Sequence, residues 1–331
     1  MILAGDVGGT KINLAAFELA DGQLLARASA SYPSRDFANL EEALRKFLGE
    51  NPVRVEAAAF GAAGPAKRNA ILLTNLRWNL VGSDIARFLG VAQVGLMNDL
   101  VANAYGIAML KPEDFVVLNP GEPEAEGNQA IIAPGTGLGE AGLNWDGTRH
   151  TPVASEGGNT DFAPRTELDI ELLRYLQKQY PQVIWEYLIS GYGTMSIYRF
   201  LRDTGRGEEP AWLAEEIGKD EKNAPAVITR AALEKKSSLC ERTMELFMHY
   251  YGCEAANLAL KYMATGGVFL SGGISPKIIE LLKGGTFMKA FIGQHRYGDY
   301  LAAIPVKVIM NEKAPLLGAA RYAAMQAGMI S

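Results

Sequence analysis

At 331 residues the chain is long enough for two domains of ordinary size, and 48% hydrophobic with 21% charged residues is globular composition, which excludes a disordered or fibrous protein. A net charge of −5 with no basic stripe speaks against a nucleic-acid partner, but leaves a small anion open, since backbone amides bind phosphate whatever the net charge. No stretch approaches the ~18–20 uninterrupted apolar residues of a membrane span, and Met1-Ile2-Leu3-Ala4-Gly5-Asp6 lacks a basic leader, so a cytoplasmic protein with no membrane partner is expected.

Ile2 to Leu19 reads as a strand, a turn at Gly5-Asp6-Val7-Gly8-Gly9-Thr10 and a second strand, with Asp21-Gly22 as the next hairpin turn. Leu40, Ala43, Leu44, Phe47 and Leu48 have helical spacing. A buried strand over 55–60 runs into Gly61-Ala62-Ala63-Gly64-Pro65, and a helix over 83–89 takes Ser83 as its N-cap. Val94 to Met97 is a strand that delivers Asn98 and Asp99 to its C-terminal end, ahead of a helix over 100–110. Alternation of this kind indicates layered α/β structure with a mixed or parallel sheet.

Beyond an acidic loop at 122–128, expected to be exposed, the pattern begins again. Ala130 to Ala133, the turn Pro134-Gly135-Thr136-Gly137-Leu138-Gly139 and Ala141 to Trp145 repeat the order strand, Gly-Thr-containing turn, strand, a hint of two similar halves. Residues 166–264 are mostly helical, strands return at 268–270 and 306–310, and a last helix covers 315–327. Cys240 and Cys253 lie in the helical region and read as packed, reduced thiols. His150, His249 and His295 are too scattered for a zinc cluster.

Each candidate motif has a plain reading beside its chemical one. The glycines of Asp6-Val7-Gly8-Gly9-Thr10-Lys11 are a hairpin turn, or a turn whose amides approach phosphate while Asp6 holds Mg²⁺ through water. Gly137, Gly139 and Gly142 match a dinucleotide fingerprint, which fails because a strand and not a helix follows. Ser271-Gly272-Gly273-Ile274 is a structural turn, or a place for a nucleotide to lie against backbone where a helix opens at Pro276. Asp99 is a helix cap, or a general base toward a hydroxyl attacking phosphorus. Glu156-Gly157-Gly158-Asn159 and Glu186 are solvated surface groups, or the carboxylates and amides that grip sugar hydroxyls.

In order and together, these segments, with Glu156 to Pro164, Ser190-Gly191-Tyr192-Gly193 and Leu316-Leu317-Gly318-Ala319-Ala320, resemble the bacterial glucokinase family over nearly the whole chain. The resemblance implies the two-domain sugar kinase/Hsp70/actin-like (ribonuclease H-like) α/β fold, with a cleft between a small domain, 1–105 plus 312–331, and a large one, 106–311. It implies ATP and Mg²⁺ as cofactors and glucose as the favoured sugar, with the γ-phosphate passed to the 6-hydroxyl. Gly5, Asp6, Val7, Gly8, Gly9, Thr10, Gly135, Thr136 and Gly137 would cradle the phosphates, and Gly272 and Gly273 would flank the adenosine. Asp99 would be the catalytic base, and Asn98, Asp99, Glu156, Asn159 and Glu186 sugar ligands. A homodimer is implied as well.

One position departs from the family pattern, which reads histidine where this chain has Asn159. Asparagine is shorter and cannot become charged, so the sugar preference is open, with another hexose or an N-acetyl hexosamine as the alternative. The cysteine-rich zinc motif of the related repressor and kinase group is absent, which favours the zinc-free branch. A sugar-sensing regulator on this fold needs a DNA-binding helix-turn-helix, for which the first strand at residue 2 leaves no room ahead of it. A non-catalytic nucleotide-binding protein is opposed by Asn98-Asp99 and Glu156.

Overall fold

The N-terminal hairpin sets the architecture. β1 (Ile2–Val7), β2 (Lys11–Ala20) and β3 (Gln23–Pro33) pair antiparallel in sequence, and Asp21 and Gly22 turn between β2 and β3 with φ of 50° and 74°. In this computed structural model residues 1–123, 125–293 and 296–330 are described; Glu124 of the acidic loop and His295 lie outside the described residues. α1 (Leu40–Glu50) buries Leu40, Ala43, Leu44 and Phe47 on one face, and Asn39 caps it by accepting the Glu42 amide at 2.9 Å. β4 (Ala57–Ala62), a small hairpin of β5 (Ala70–Leu73) and β6 (Trp78–Val81), α2 (Gly82–Leu89), β7 (Val94–Asn98) and α3 (Asp99–Gly106) follow. The main sheet has the order β3-β2-β1-β4-β7, with β1, β4 and β7 parallel. Ser83 is not the cap of α2: the helix starts one residue earlier, and its N-cap, Val81, makes no side-chain bond. The helix expected over 100–110 ends at Gly106 and continues as one 3₁₀ turn, Ile107–Met109.

The second run of strands is β8 (Phe115–Asn119), β9 (Gln129–Pro134), β10 (Leu138–Trp145) and β11 (His150–Ala154). Then come α4 (Glu167–Leu176), α5 (Gly191–Asp203), α6 (Ala211–Lys219), α7 (Ala224–Leu233) and α8 (Ser238–Tyr262). β12 (Gly267–Leu270), α9 (Ile279–Lys283), α10 (Thr286–Ile292), α11 (Gly298–Ala302) and β13 (Val306–Ile309) complete it, before α12 (Ala314–Gln326). The sheet order is β11-β10-β9-β12-β13-β8. Within it β10 is antiparallel to β9, and β9, β12 and β13 are parallel. That is the arrangement of β2-β1-β4-β7, so the short echo in sequence is a repeated topology. Because β10 follows the Gly135–Gly137 turn as an antiparallel strand, the dinucleotide fingerprint has no helix to open.

The chain divides into two compact units. The first is Met1–Asp114, Thr151–Ala154 and Asn311–Ser331; the second is Phe115–His150 and Ser155–Met310. In the first, α12 lies on α3 at near backbone contact. A side chain on Gly106 would run into the Ala314 carbonyl, and one on Gly318 into the Ala102 carbonyl. Only glycine at these two points lets α3, with Asp99 at its start, seat this deeply. In the second, α8 is buried almost all round, and its Tyr250 and Tyr251 hydroxyls find partners in Asp169 Oδ1 and Ser275 Oγ, each at 2.9 Å. Cys240 and Cys253 are buried and unbridged. Among the described residues no helix is long and apolar enough to cross a membrane.

Candidate active site

In open α/β sheets ligands gather at the C-terminal ends of parallel strands. In the first unit those ends carry Asp6 on β1 and Asn98 on β7, with Asp99 opening α3. Asp6 faces Asn13 across the β1–β2 ladder, and Asn13 Nδ2 donates to Asp6 Oδ2 at 3.1 Å. Past Asp6 the side chain of Val7 is core, so only its backbone is available to a ligand. Gly9 and Thr10 are exposed, and Gly8 is half-buried. Ser34 fixes the turn from its carbonyl side: its hydroxyl donates to Gly8 O at 2.7 Å and its amide to Thr10 O at 2.9 Å. The Gly9 and Thr10 amides have no backbone acceptor among the described residues. Exposed amides on a turn held by its carbonyls make a donor surface suited to phosphate oxygens.

Asn98, not Asp99, is the N-cap of α3. Its Oδ1 accepts the Leu100 and Val101 amides at 2.9 and 3.4 Å, while Nδ2 donates to Gly64 O at 3.2 Å. This frees Asp99 from capping duty, apart from one bond that its Oδ1 accepts from the Leu100 amide at 2.9 Å. Burial pushes the Asp99 carboxyl above the ordinary aspartate range, against the pull of backbone amides. Burial also raises Asp6, with Asn13 opposing and the charge of Asp99 adding to the rise. The two carboxylates therefore feel one another. Among the described residues no group of three or more His, Cys, Asp and Glu gathers to hold a metal. A single carboxylate under like-charge pressure fits Mg²⁺, which keeps several waters and takes its other oxygens from phosphate.

The second unit gathers the remaining candidates. Gly135–Gly137 turns between β9 and β10, with Gly135 N donating to Gly137 O at 2.8 Å, and Thr136 exposed. Glu186, on the 3₁₀ turn Trp185–Tyr187, braces this loop: its Oε2 accepts the Leu138 amide at 3.0 Å and fills the place of a side chain on Gly137. Gly191, at the start of α5, donates its amide to Gly135 O at 2.9 Å. Beside it, at the end of β12, Gly272 has φ +80° and lies against the Pro134 carbonyl, so no side chain fits there, while Gly273 faces open space. Pro276 sits in a 3₁₀ turn, Ser275–Ile278, so the helix expected to open there is short and starts only at Ile279.

Glu156 and Asn159 flank the 3₁₀ turn Gly157–Asn159, both exposed, with Asn159 Nδ2 donating to Glu156 Oε2 at 3.4 Å. Gly158 packs on the Leu138 carbonyl, the residue whose amide Glu186 holds. Glu186 and the Gly157–Asn159 turn thus both pack on Leu138, the residue that follows the Gly135–Gly137 turn. The predicted residues fall into two groups, Gly5–Thr10 with Asn98 and Asp99 in one unit, the rest in the other. Sequence reasoning missed Asn13 and Ser34, the two side chains that hold the first turn. Asn13 was findable from hairpin register alone, since Asp21-Gly22 and the Gly8-Gly9 turn fix which residues face each other.

The family model for glucokinase matches residues 3–326. The chain belongs to the glucokinase family. It is 40% identical to a glucokinase of Nostoc punctiforme over 338 aligned positions, covering 98% of this chain and 99% of that protein. A glucokinase of Synechocystis is also 40% identical, with 97% of each chain covered. The solved structure of a glucokinase from an Antarctic psychrotroph superposes with a TM-score of 0.84 at 30% identity over 98% of both chains. The family makes this chain an ATP-dependent sugar kinase, and its fold is the actin-like ATPase fold of the sugar kinases.

Proposed function

We propose that the enzyme transfers the γ-phosphate of ATP to the 6-hydroxyl of glucose, giving glucose 6-phosphate and ADP, with Asp99 as general base. The observation that carries this reading is the Asn98–Asp99 pair. Asn98 takes over the capping of α3, which leaves a half-buried carboxyl of raised proton affinity at a strand end, as a general base requires.

Asp99 would orient the hydroxyl and accept its proton as the O6–Pγ bond forms and the bond to the ADP oxygen breaks. The amides of Gly9 and Thr10 and of Thr136 and Gly137 would hold the phosphates, while those of Gly8 and Gly135 close the two turns by donating to Lys11 O and Gly137 O. Asp6 would hold Mg²⁺ through water, and the ion would supply neutralisation of the phosphate charge. Glu156, Asn159, Glu186 and Asn98 would divide the sugar hydroxyls, and Gly272 and Gly273 would receive the adenosine. The cytoplasm is the proposed compartment, on the evidence of two unbridged thiols, and a homodimer the proposed assembly.

The test is ADP release from Mg²⁺-ATP across glucose, mannose, fructose, glucosamine and N-acetyl hexosamines. Turnover with glucose far above the others is expected. Turnover confined to another sugar would retain the phosphoryl chemistry and reassign the acceptor, with Asn159 the residue to change first. No turnover with any sugar would overturn the reading.

A further inference from the structure

Glu140 is the third residue of β10, on the same face as Leu138 and Gly142, and is 1% exposed. Neither carboxyl oxygen accepts a hydrogen bond from the described residues. An unpaired carboxylate in such a place is costly, whereas a neutral carboxyl is tolerable. Directly over it lies Gly157, where any side chain would collide with Glu140 Oε2. The Glu156-Gly157-Gly158-Asn159 loop therefore rests on this carboxyl.

The charged groups around it are few. From α8 come Glu254, which is fully buried, accepts from Asn257 Nδ2 at 2.7 Å and sits 3.4 Å from Lys261 Nζ, and Lys261 itself, half exposed. From the loop comes Glu156, exposed and next to Gly157. β9, reading Gln129-Ala130-Ile131-Ile132-Ala133-Pro134, brings no ionisable side chain. Burial first, and the Glu254 charge second, push Glu140 up to about 8, with Lys261 opposing.

We propose that Glu140 is a positioning residue for sugar binding: as a neutral carboxyl it supports the Glu156–Asn159 loop from beneath, and its ionisation displaces that loop. The proposal rests on the reading of Glu156 and Asn159 as sugar ligands. Glu140 touches no substrate, so its effect falls on the KM for the sugar, with kcat and the KM for ATP unchanged.

The experiment is the pH dependence of both KM values in the wild type and in Glu140→Gln, which is neutral at every pH. If only the protonated form binds glucose, the glucose KM of the wild type rises about tenfold between about pH 7 and about pH 9, as the competent fraction falls. Glu140→Gln should match the wild type near pH 7 and stay flat above it. A second variant, Glu254→Gln, removes the neighbouring charge and should move the alkaline rise to lower pH. Equal alkaline limbs in the wild type and Glu140→Gln, or a limb in the ATP rather than the glucose KM, would overturn the proposal. If Glu156→Gln leaves the glucose KM unchanged, the sugar-site reading itself is what fails.

Discussion

The amide of Leu138 donates to Glu186 Oε2 at 3.0 Å, while the carbonyl of the same residue supports Gly158. One residue of β10 thus ties the Gly135–Gly137 turn to both segments assigned to the sugar. Glu186 is in this way part of the loop's scaffold as well as a candidate ligand. Replacing it with Gln keeps an acceptor for the Leu138 amide, while Ala removes it. Glu186→Ala is therefore expected to raise the KM for both ATP and glucose, and Glu186→Gln mainly that for glucose. Equal ATP constants in the two variants would show that the brace has no part in nucleotide binding.

Asp99→Asn retains the shape of the side chain, and Asn98 continues to cap α3. Turnover should fall by roughly 10²–10⁴, the usual contribution of a positioned base, with the thermal midpoint nearly unchanged or raised, because a half-buried charge is removed. Steady-state kinetics and a melting curve check this together. A variant with near-normal kcat removes Asp99 from the mechanism.

Asn159 is exposed, and its side chain donates to Glu156 Oε2 at 3.4 Å. Asn159→His introduces the histidine that the resemblance implies, lengthens the side chain and adds a group that titrates near neutrality. The ratio of kcat/KM for glucose over mannose and N-acetylglucosamine should shift, while the ATP constants stay put. An unchanged ratio would show that this position does not read the sugar.

Stability should fall as pH rises. Glu140 holds its proton in the folded state up to about 8, whereas the unfolded chain releases it near the ordinary value of 4.5. Between those values the folded state binds more protons, so its stability is fully present below the lower one and is lost progressively up to the higher. Glu254, Asp6 and Asp99 are raised too and act in the same direction. In Glu140→Gln the slope of denaturant midpoint against pH should be shallower over this window. A slope as steep as the wild type's would mean that Glu140 is ionised in the native state.

Gly318→Val places a branched side chain against the Ala102 carbonyl. Overpacking of this kind costs about 1–3 kcal/mol or more, read as a lower urea midpoint. Because α3 carries Asp99 at its start, kcat should fall as well, although residue 318 is remote in sequence from every proposed ligand.

Local chemistry explains what could be read from sequence. Asp21-Gly22, the helical spacing of Leu40 to Phe47, and strands delivering Asp6 and Asn98 all follow from turn propensity and periodicity, which act over a few residues. Ser83 misled because a good capping residue lies one position inside α2, where tertiary packing and not capping sets the boundary. The cap of α3 fell to Asn98 and not Asp99 because both side chains cap well, and only backbone geometry decides between neighbours. Glu140 was invisible, since a glutamate in an alternating strand reads as outward-facing. Residue type offers 156, 159 and 186 as sugar-gripping or merely solvated groups, and only family resemblance favours the first; that 186 and Gly158 both pack on Leu138 is a contact no spacing encodes.

The return of α12 to the first unit has a consequence for synthesis. The small, buried residues that α12 covers, among them Ala4, Ala59 and Ala102, leave the ribosome early, yet Ala319, Ala320 and Ala323 emerge only after every residue of the second unit. The first unit thus stays unfinished through most of translation, with an apolar face uncovered. A nascent chain stalled before residue 314 should bind chaperones that protect such faces, and release them once α12 is made.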